Sequence, residues 1–391
     1  MSNFRIPLSD LDYGSEEEAA VQRVLKSKWL SMGPEVQAFE HEFAESMGVK
    51  YAIAVANGTA ALHLAMLALG IGPKDEVIQP AINFVATANM TVASGATPIF
   101  PDIISIAEPT ISPDDIERSI TEHTKAVVIM HYGGYLCRMA EIVAICKKHN
   151  LALIEDACHA VGAQYETNQS DMQINRKAGC IGDIGCFSFF SNKNLATGEG
   201  GMIVTDRDDL VEQIQLLRSH GMTTLTWDRH RGHASSYDVF VHGYNYRMDE
   251  IRAALGRVQL GKLQANNQRR KELVSVYRQH LVQHLKWTIP FTDYPGDSAY
   301  HLMTLVAPDS SIRNSTVLHL REAGIQTSLH YPCITSFRAF NAYCQNDVEQ
   351  SLNFAQRTIT LPLFPTLSES QVAFICSVLN KSISELNDVQ G

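Results

Sequence analysis

The 391-residue chain is marked first by what it does not contain. It has no run of roughly 20 uninterrupted apolar residues, which a membrane-spanning helix needs. Its most apolar stretch, Tyr51 to Gly72, is broken by Asn57-Gly58-Thr59 and carries His63. Basic charge is scarce: Lys plus Arg number 32 against 42 Asp plus Glu, a formal net charge of −10. That balance excludes the basic footprint of a general nucleic-acid binder. The eight cysteines form no CxxC pair and no ligand-like grouping with histidine, so no metal site is expected. The opening residues, MSNFRIPLSDLDYGSEEEAA, lack the apolar core of a signal peptide. The thiols are therefore expected to be reduced and structural, and the location cytoplasmic. Neither GxxxxGK[ST] nor GxGxxG occurs, and there is no internal repeat or low-complexity tract.

Hydrophobic residues make up 45% and charged residues 19%, the balance of a globular protein. A chain this long buries a large core and ordinarily divides into about two domains. From about residue 50 to 205, β-like runs alternate with helical ones. Tyr51 to Val55 precedes a helix from Thr59, Glu76 to Gln79 one near Phe84, and Thr97 to Phe100 one near Ser112. Ser112 can cap that last helix, Pro113 suits its first turn, and Asp114 and Asp115 favour its positive end. Lys125 to Met130, a helix at about 138–149 and Leu151 to Glu155 continue the alternation. Leu62, Ala65, Met66 and Leu69 fall at i, i+3, i+4, i+7, the spacing of a buried amphipathic helix. Gly185 to Phe190 and Gly201 to Thr205 read as further strands, with a helix from about Asp208. The pattern predicts an α/β fold with a mostly parallel central sheet flanked by helices. After residue 246 the texture changes: Ile251, Ala254, Leu255 and Val258 mark one face of a long helix, continuous or broken once, running towards Leu285. Strands near 299–306 and 326–331 and helices near 314–323 and 367–380 complete a smaller α+β unit. The expected division is a large domain over 1–246 and a small C-terminal domain over 247–391.

Three segments end strands with polar chemistry, and ligands of open α/β sheets bind at the carboxyl ends of strands. In Asn57-Gly58-Thr59-Ala60-Ala61 a strand turns directly into a helix. Such a start offers free N–H groups and the helix dipole to an anion, and it also serves as an ordinary cap. In Leu153-Ile154-Glu155-Asp156-Ala157-Cys158-His159 an apolar strand ends in a carboxylate. That carboxylate suits a magnesium ion, although no phosphate loop accompanies it, or the protonated nitrogen of a pyridine ring. The Cys158–His159 neighbours also raise thiol catalysis, although successive side chains on a strand point to opposite faces. In Phe187-Ser188-Phe189-Phe190-Ser191-Asn192-Lys193 an alternating strand delivers a lysine into the glycine-rich turn Asn194-Leu195-Ala196-Thr197-Gly198-Glu199-Gly200-Gly201. A lysine that attacks a carbonyl must be held and partly desolvated, whereas most loop lysines are simply solvated. Taken together, a phosphate cradle, a strand-end aspartate and a later lysine are what pyridoxal 5'-phosphate requires.

On these motifs the chain resembles the sugar aminotransferases of the DegT/DnrJ/EryC1/StrS family, which have the pyridoxal-phosphate transferase fold of type I. The resemblance runs from Trp29-Leu30-Ser31-Met32-Gly33-Pro34 to at least His330-Tyr331-Pro332, and FSFFSNKNLATGEGG is its most specific part, with NGTAAL, IEDACHA and GYNYRMDE in support. It implies that Lys193 holds the cofactor covalently and shuttles the proton between cofactor and substrate carbons. Asp156 would pair with the pyridine nitrogen, and Gly58, Thr59 and Ser188 would hold the phosphate. Phe84, in NFVATAN, would stack on the ring, with His159 near its phenolic oxygen. Asn245 would reach the phosphate of a neighbouring subunit's cofactor, so a homodimer with shared active sites is implied. His330 and Tyr331 stand where family members line the sugar pocket.

One segment departs from the family pattern. The stretch between His220 and Gly243 includes Thr226-Trp227-Asp228-Arg229-His230-Arg231-Gly232-His233, longer and more basic than the group leads one to expect. Arg229 and its neighbours can meet an anionic sugar substrate, or simply form a solvated loop. The reaction implied is transfer of an amino group from glutamate or glutamine to a keto or aldehydo sugar. A nucleotide-linked keto-deoxysugar of surface-polysaccharide or amino-sugar biosynthesis is the first acceptor to consider. A free sugar acid, such as an oxidised 3-deoxy-octulosonate for lipopolysaccharide, and a cyclitol ketone are others. Relatives with histidine in place of the lysine are dehydratases, and Lys193 favours transamination over that chemistry. A non-catalytic cofactor-binding regulator would need a DNA- or partner-binding module, and no basic helix-turn-helix segment is present.

Overall fold

Runs such as Ala126-Val127-Val128-Ile129-Met130 are apolar at every position, which suits strands buried on both faces. The computed structural model describes residues 4–169, 172–222, 236–281, 287–344 and 346–390. Helices α1 (Ser15–Ser27) and α2 (Pro34–Met47) precede β1 (Tyr51–Val55) and α3 (Gly58–Ala68). Then come β2 (Glu76–Ile78), α4 (Ala86–Ala93), β3 (Thr97–Ile99), α5 (Pro113–Arg118), β4 (Thr124–Met130), α6 (Met139–His149) and β5 (Ala152–Asp156). A hairpin of β6 (Gln164–Gln169) and β7 (Met172–Lys177) leads to β8 (Ile184–Ser188), β9 (Gly201–Thr205) and α7 (Asp208–Arg218). The remainder holds α8 (Glu250–Leu281), β10 (Met303–Val306), α9 (Ser310–Glu322), α10 (Glu349–Arg357), β11 (Thr358–Leu361) and α11 (Glu369–Gln390).

The main sheet has seven strands in the order β1-β9-β8-β5-β4-β2-β3. From β8 to β3 every neighbouring pair is parallel, as the βα alternation predicts. β9 is the exception, antiparallel to both β8 and β1. It follows β8 through the Lys193 turn with no crossover helix, and a direct return can only be antiparallel. β1 therefore runs the same way as β8 and β5. The carboxyl ends of all three, and the polar segments that follow them, open on one edge of the sheet. Alternate residues feed two layers. Ile53, Val128, Ile154 and Ile203 pack with α3 and α7, while Ala54, Phe187, Met202 and Val204 pack with α2 and α8.

A second, two-stranded sheet pairs β10 with β11 antiparallel and shares a core with α9, α11 and the later half of α8. Several expectations need correction. α3 is buried around nearly its whole circumference rather than on one stripe, because it sits between the sheet, α4 and α7. The expected strand at 326–331 is absent: Ser328 makes one isolated bridge to Thr360, and β11 supplies the second strand. α8 is unbroken over its 32 residues to Leu281, and the stretch from there to Leu285 lies outside the described residues.

Candidate active site

The first strand end becomes a cradle. Asn57 caps α3, its side chain accepting from Ala60 N–H at 2.8 Å. The N–H groups of Gly58 and Thr59 precede any intrahelical partner, and among the described residues no acceptor faces them. Opposite, Ser188 ends β8, and the two segments touch. A Cβ at Gly58 would lie 2.8 Å from the Ser188 Cβ and 3.3 Å from Cys158 Sγ. A Cβ at Gly201 would meet the Asn57 backbone at 2.6 Å. Glycine at both positions is what lets β1, β9 and β8 close on one another there.

The second strand end fixes a carboxylate. Asp156 is buried, and its Oδ2 accepts from Asn83 Nδ2 at 3.2 Å and Thr87 Oγ1 at 3.3 Å. Its Oδ1 accepts from the Cys158 N–H at 3.2 Å. His159 turns elsewhere: its Nδ1 accepts from Gly133 N–H at 3.4 Å, so Nε2 donates to the Tyr331 hydroxyl at 2.8 Å. Cys158 and His159 thus form no thiolate–imidazole pair. Burial, and then the Asp156 charge, push the Cys158 thiol well above its usual range, which leaves it protonated and inert.

Lys193 is partly buried in the third segment, on a tight turn in which its N–H donates to Phe190 C=O at 2.9 Å. Burial pulls its ammonium below the usual lysine range, against the opposing pull of Cys158 and Asp156. The next residue, Asn194, is buried and hydrogen-bonded to Asn267, Ala299 C=O and His301, which pins the turn against α8. Three imidazoles stand around this lysine. His159 and His301 are held well below the ordinary histidine range, first by burial and then by neighbouring positive charge that includes Lys193. His330 is pulled down to about 4 by the same causes. The pocket therefore combines neutral imidazoles, a fixed carboxylate and an amine that gives up its proton more readily than an ordinary lysine.

The structure gathers Gly58, Thr59, Asp156, His159, Ser188 and Lys193 at the one sheet edge. It adds Tyr331 through His159 and Phe84 through Tyr331, whose rings are 6.0 Å apart. Phe84 is 57% exposed, so one face of its ring is open. His330 is turned towards Thr360, its Nδ1 2.9 Å from Oγ1, and its carbonyl accepts from Tyr132. Asn245 does not join the cluster: it is exposed and bridges Ser219 at the end of α7. Arg229 and the basic stretch 226–233 lie outside the described residues. Asn83, Thr87, Asn194 and His301 were not singled out in the sequence. Asn83 and Thr87 sit in the NFVATAN segment at an i, i+4 spacing that places both on one side of a turn, the only signal available for them. Among the described residues no cluster suited to a metal ion occurs and no helix is long and apolar enough to cross a membrane.

Comparison with known proteins accords with this geometry. The model of the DegT/DnrJ/EryC1/StrS aminotransferase family matches residues 12–380. The spore coat polysaccharide biosynthesis protein SpsC of Bacillus subtilis is 40% identical over 378 residues, 95% of each chain. Helicobacter pylori PseC, an aminotransferase involved in the biosynthesis of pseudoaminic acid, superposes with a TM-score of 0.89 at 29% identity, over 97% of this chain and 99% of its own. The PLP form of a sugar aminotransferase from Streptococcus pneumoniae, Spr1654, gives a TM-score of 0.89 at 26% identity, covering 97% and 99%.

Proposed function

The chain belongs to the DegT/DnrJ/EryC1/StrS aminotransferase family, and from that premise we propose that it is a pyridoxal-phosphate enzyme transferring an amino group from glutamate or glutamine to a keto or aldehydo sugar. The observation that carries this reading is the convergence of Lys193, Asp156 and the Gly58–Ser188 cradle at one edge of the sheet. The residues fit the cofactor. Unengaged N–H groups at the start of α3, with Thr59 and Ser188, suit a phosphate. Asp156, with both oxygens already oriented, suits a pyridinium nitrogen. Phe84 offers an open ring face for stacking, and His159 would lie near the ring's phenolic oxygen. When bound, pyridoxal phosphate supplies the electron sink for negative charge on the substrate carbon.

The protein's own part is proton handling and exclusion of water. Lys193, its ammonium pulled below the usual lysine range by burial, would hold the cofactor and, once its amine is free, move a proton at Nζ between the substrate carbon and the cofactor carbon in each half-reaction. His330 and Tyr331 line the sugar side. A nucleotide-linked keto-deoxysugar is the acceptor we favour, because SpsC and PseC both serve pathways of surface or acidic sugars. The active unit is a homodimer in the cytoplasm. Its support is the exposed apolar run Tyr237, Val239 and Phe240, leading to the exposed Asn245, which would complete the partner's cradle.

The test is the visible spectrum of the purified protein loaded with pyridoxal phosphate. A yellow band that bleaches on adding glutamate, and that is lost in Lys193→Ala, is expected, followed by an amino-sugar product from a keto-sugar panel. A protein that acquires no band when given the cofactor overturns the reading.

A further inference from the structure

His301 has no part in the assignment above, yet it is built into the lysine turn through a chain of hydrogen bonds whose direction is fixed. Asn267 Nδ2 donates to Val161 C=O at 3.0 Å, so its Oδ1 is the atom facing Asn194. Asn194 Nδ2 donates to that Oδ1 at 2.8 Å and to Ala299 C=O at 2.7 Å. The remaining atom, Asn194 Oδ1, is an acceptor only, and it lies 2.8 Å from His301 Nδ1. His301 must therefore carry its hydrogen on Nδ1. Its Nε2 is left as a bare lone pair, buried and with no donor among the described residues. The ring packs against His159 at 4.3 Å between centroids, with Lys193 one residue from Asn194. Two backbone carbonyls and two side-chain amides thus specify one tautomer next to the catalytic amine, and an unsatisfied buried acceptor is costly unless a donor comes to it.

We propose that His301 is a positioning residue for Lys193, its Nε2 accepting a hydrogen bond from the lysine ammonium whenever that amine is free. The role rests on Lys193 being the catalytic amine. Asn194, Asn267 and His301 would then form a single device: the two amides set the tautomer, and the imidazole tells the amine where to stand between half-reactions. Arg270 on α8, whose Nε has no partner among the described residues, acts electrostatically on His301.

The experiment reads Lys193 directly. The full-length, cofactor-free chain is exposed to trace acetic anhydride across a pH series, and acetylation of Lys193 is followed by mass spectrometry. His301→Asn keeps an amide where Nδ1 was, and so the bond to Asn194, but has nothing at Nε2. His301→Gln places an amide oxygen at the Nε2 position. The labelling midpoint of Lys193 is expected to fall by about one pH unit in His301→Asn, a tenfold loss of proton affinity, and to stay close to the parent in His301→Gln. An unchanged midpoint in a folded His301→Asn protein overturns the proposal. Should that variant not fold, ¹⁵N-histidine NMR of the parent chain decides: a protonated Nε2 on His301 overturns the proposal. Neither measurement needs the cofactor to bind, so a failure here is separable from a missing visible band.

Discussion

Lowering the pH from 7.5 to 5.5 should destabilise the cofactor-free protein by about 4 kcal/mol, and the three pocket imidazoles are the reason. His159, His301 and His330 are buried at 3%, 4% and 7% exposure, and all are pulled down from the histidine range, His330 to about 4. In the unfolded chain each titrates at about 6.5. Because the native values are depressed, the stability they contribute is fully present above 6.5 and is lost as the pH falls towards 4. Across that window the unfolded chain binds protons that the native state refuses. One pH unit below 6.5 this costs about 1.4 kcal/mol per histidine, and three give about 4 kcal/mol. His63, likewise lowered by burial, adds in the same direction. Equilibrium urea unfolding at the two pH values measures the difference. A loss of less than about 1 kcal/mol would refute the reasoning, because it would mean that these imidazoles take up protons in the native state. His330→Asn supplies an internal check, since it should reduce the pH dependence by about 1.4 kcal/mol.

Other outcomes follow from single contacts. Gly58→Ala forces a methyl to within 2.8 Å of Ser188 and should cost about 1–3 kcal/mol of overpacking, seen as a roughly 5- to 150-fold weaker pyridoxal-phosphate titration while the lysine turn is intact. Glu155, buried with no exposure, accepts from the N–H groups of Gly179, Ile181 and Gly182 and from His131 at 2.9 Å. Glu155→Ala strands these donors and should lower stability by about 3–5 kcal/mol in a urea titration, although the residue never faces the pocket. Of the eight cysteines only Cys344 is exposed, so a thiol reagent at neutral pH should find one fast site, with Cys158 unreactive until the protein unfolds. Rapid loss of a second thiol in the native state would contradict the burial argument.

The fold was legible to the extent that it follows from one-dimensional pattern. Strand–helix alternation, two-sided apolar strands and capping chemistry such as Ser112-Pro113 marked β1 to β5 and β8 to α7 within a few residues of where they stand, while the β6–β7 hairpin went unmarked. What escaped was set by long-range pairing. Residues 326–331 carry a strand-like composition but find only one bridging partner, while Thr358–Leu361, hidden between two helices, takes the strand position. The lysine, the aspartate and the glycine of the site could be read because each lies at a strand end, where sequence position and sheet edge coincide. Asn83 and Thr87 reach Asp156 from a separate segment, and His301 reaches Asn194 from a distance of 107 positions. Those contacts are products of packing, and no local spacing encodes them. The α3 helix was misjudged as one-faced for a similar reason: its second apolar face only gains meaning once α4 and α7 are laid over it.

The long helix α8 has a consequence for how the molecule comes apart. At about 1.5 Å per residue its 32 residues span about 48 Å. Along that length it is tied first to the early chain and then to the late one. Arg257 binds Glu35 and Glu42, Gln259 binds Glu17, and Asn267 reaches Val161; further along, Arg270 reaches Leu363 and Tyr277 reaches Pro362. A helix stitched in this way cannot fray at one end without loosening both cores. Hydrogen exchange along α8 should therefore report one shared opening event, with the lysine turn and the β10–β11 sheet gaining and losing protection together.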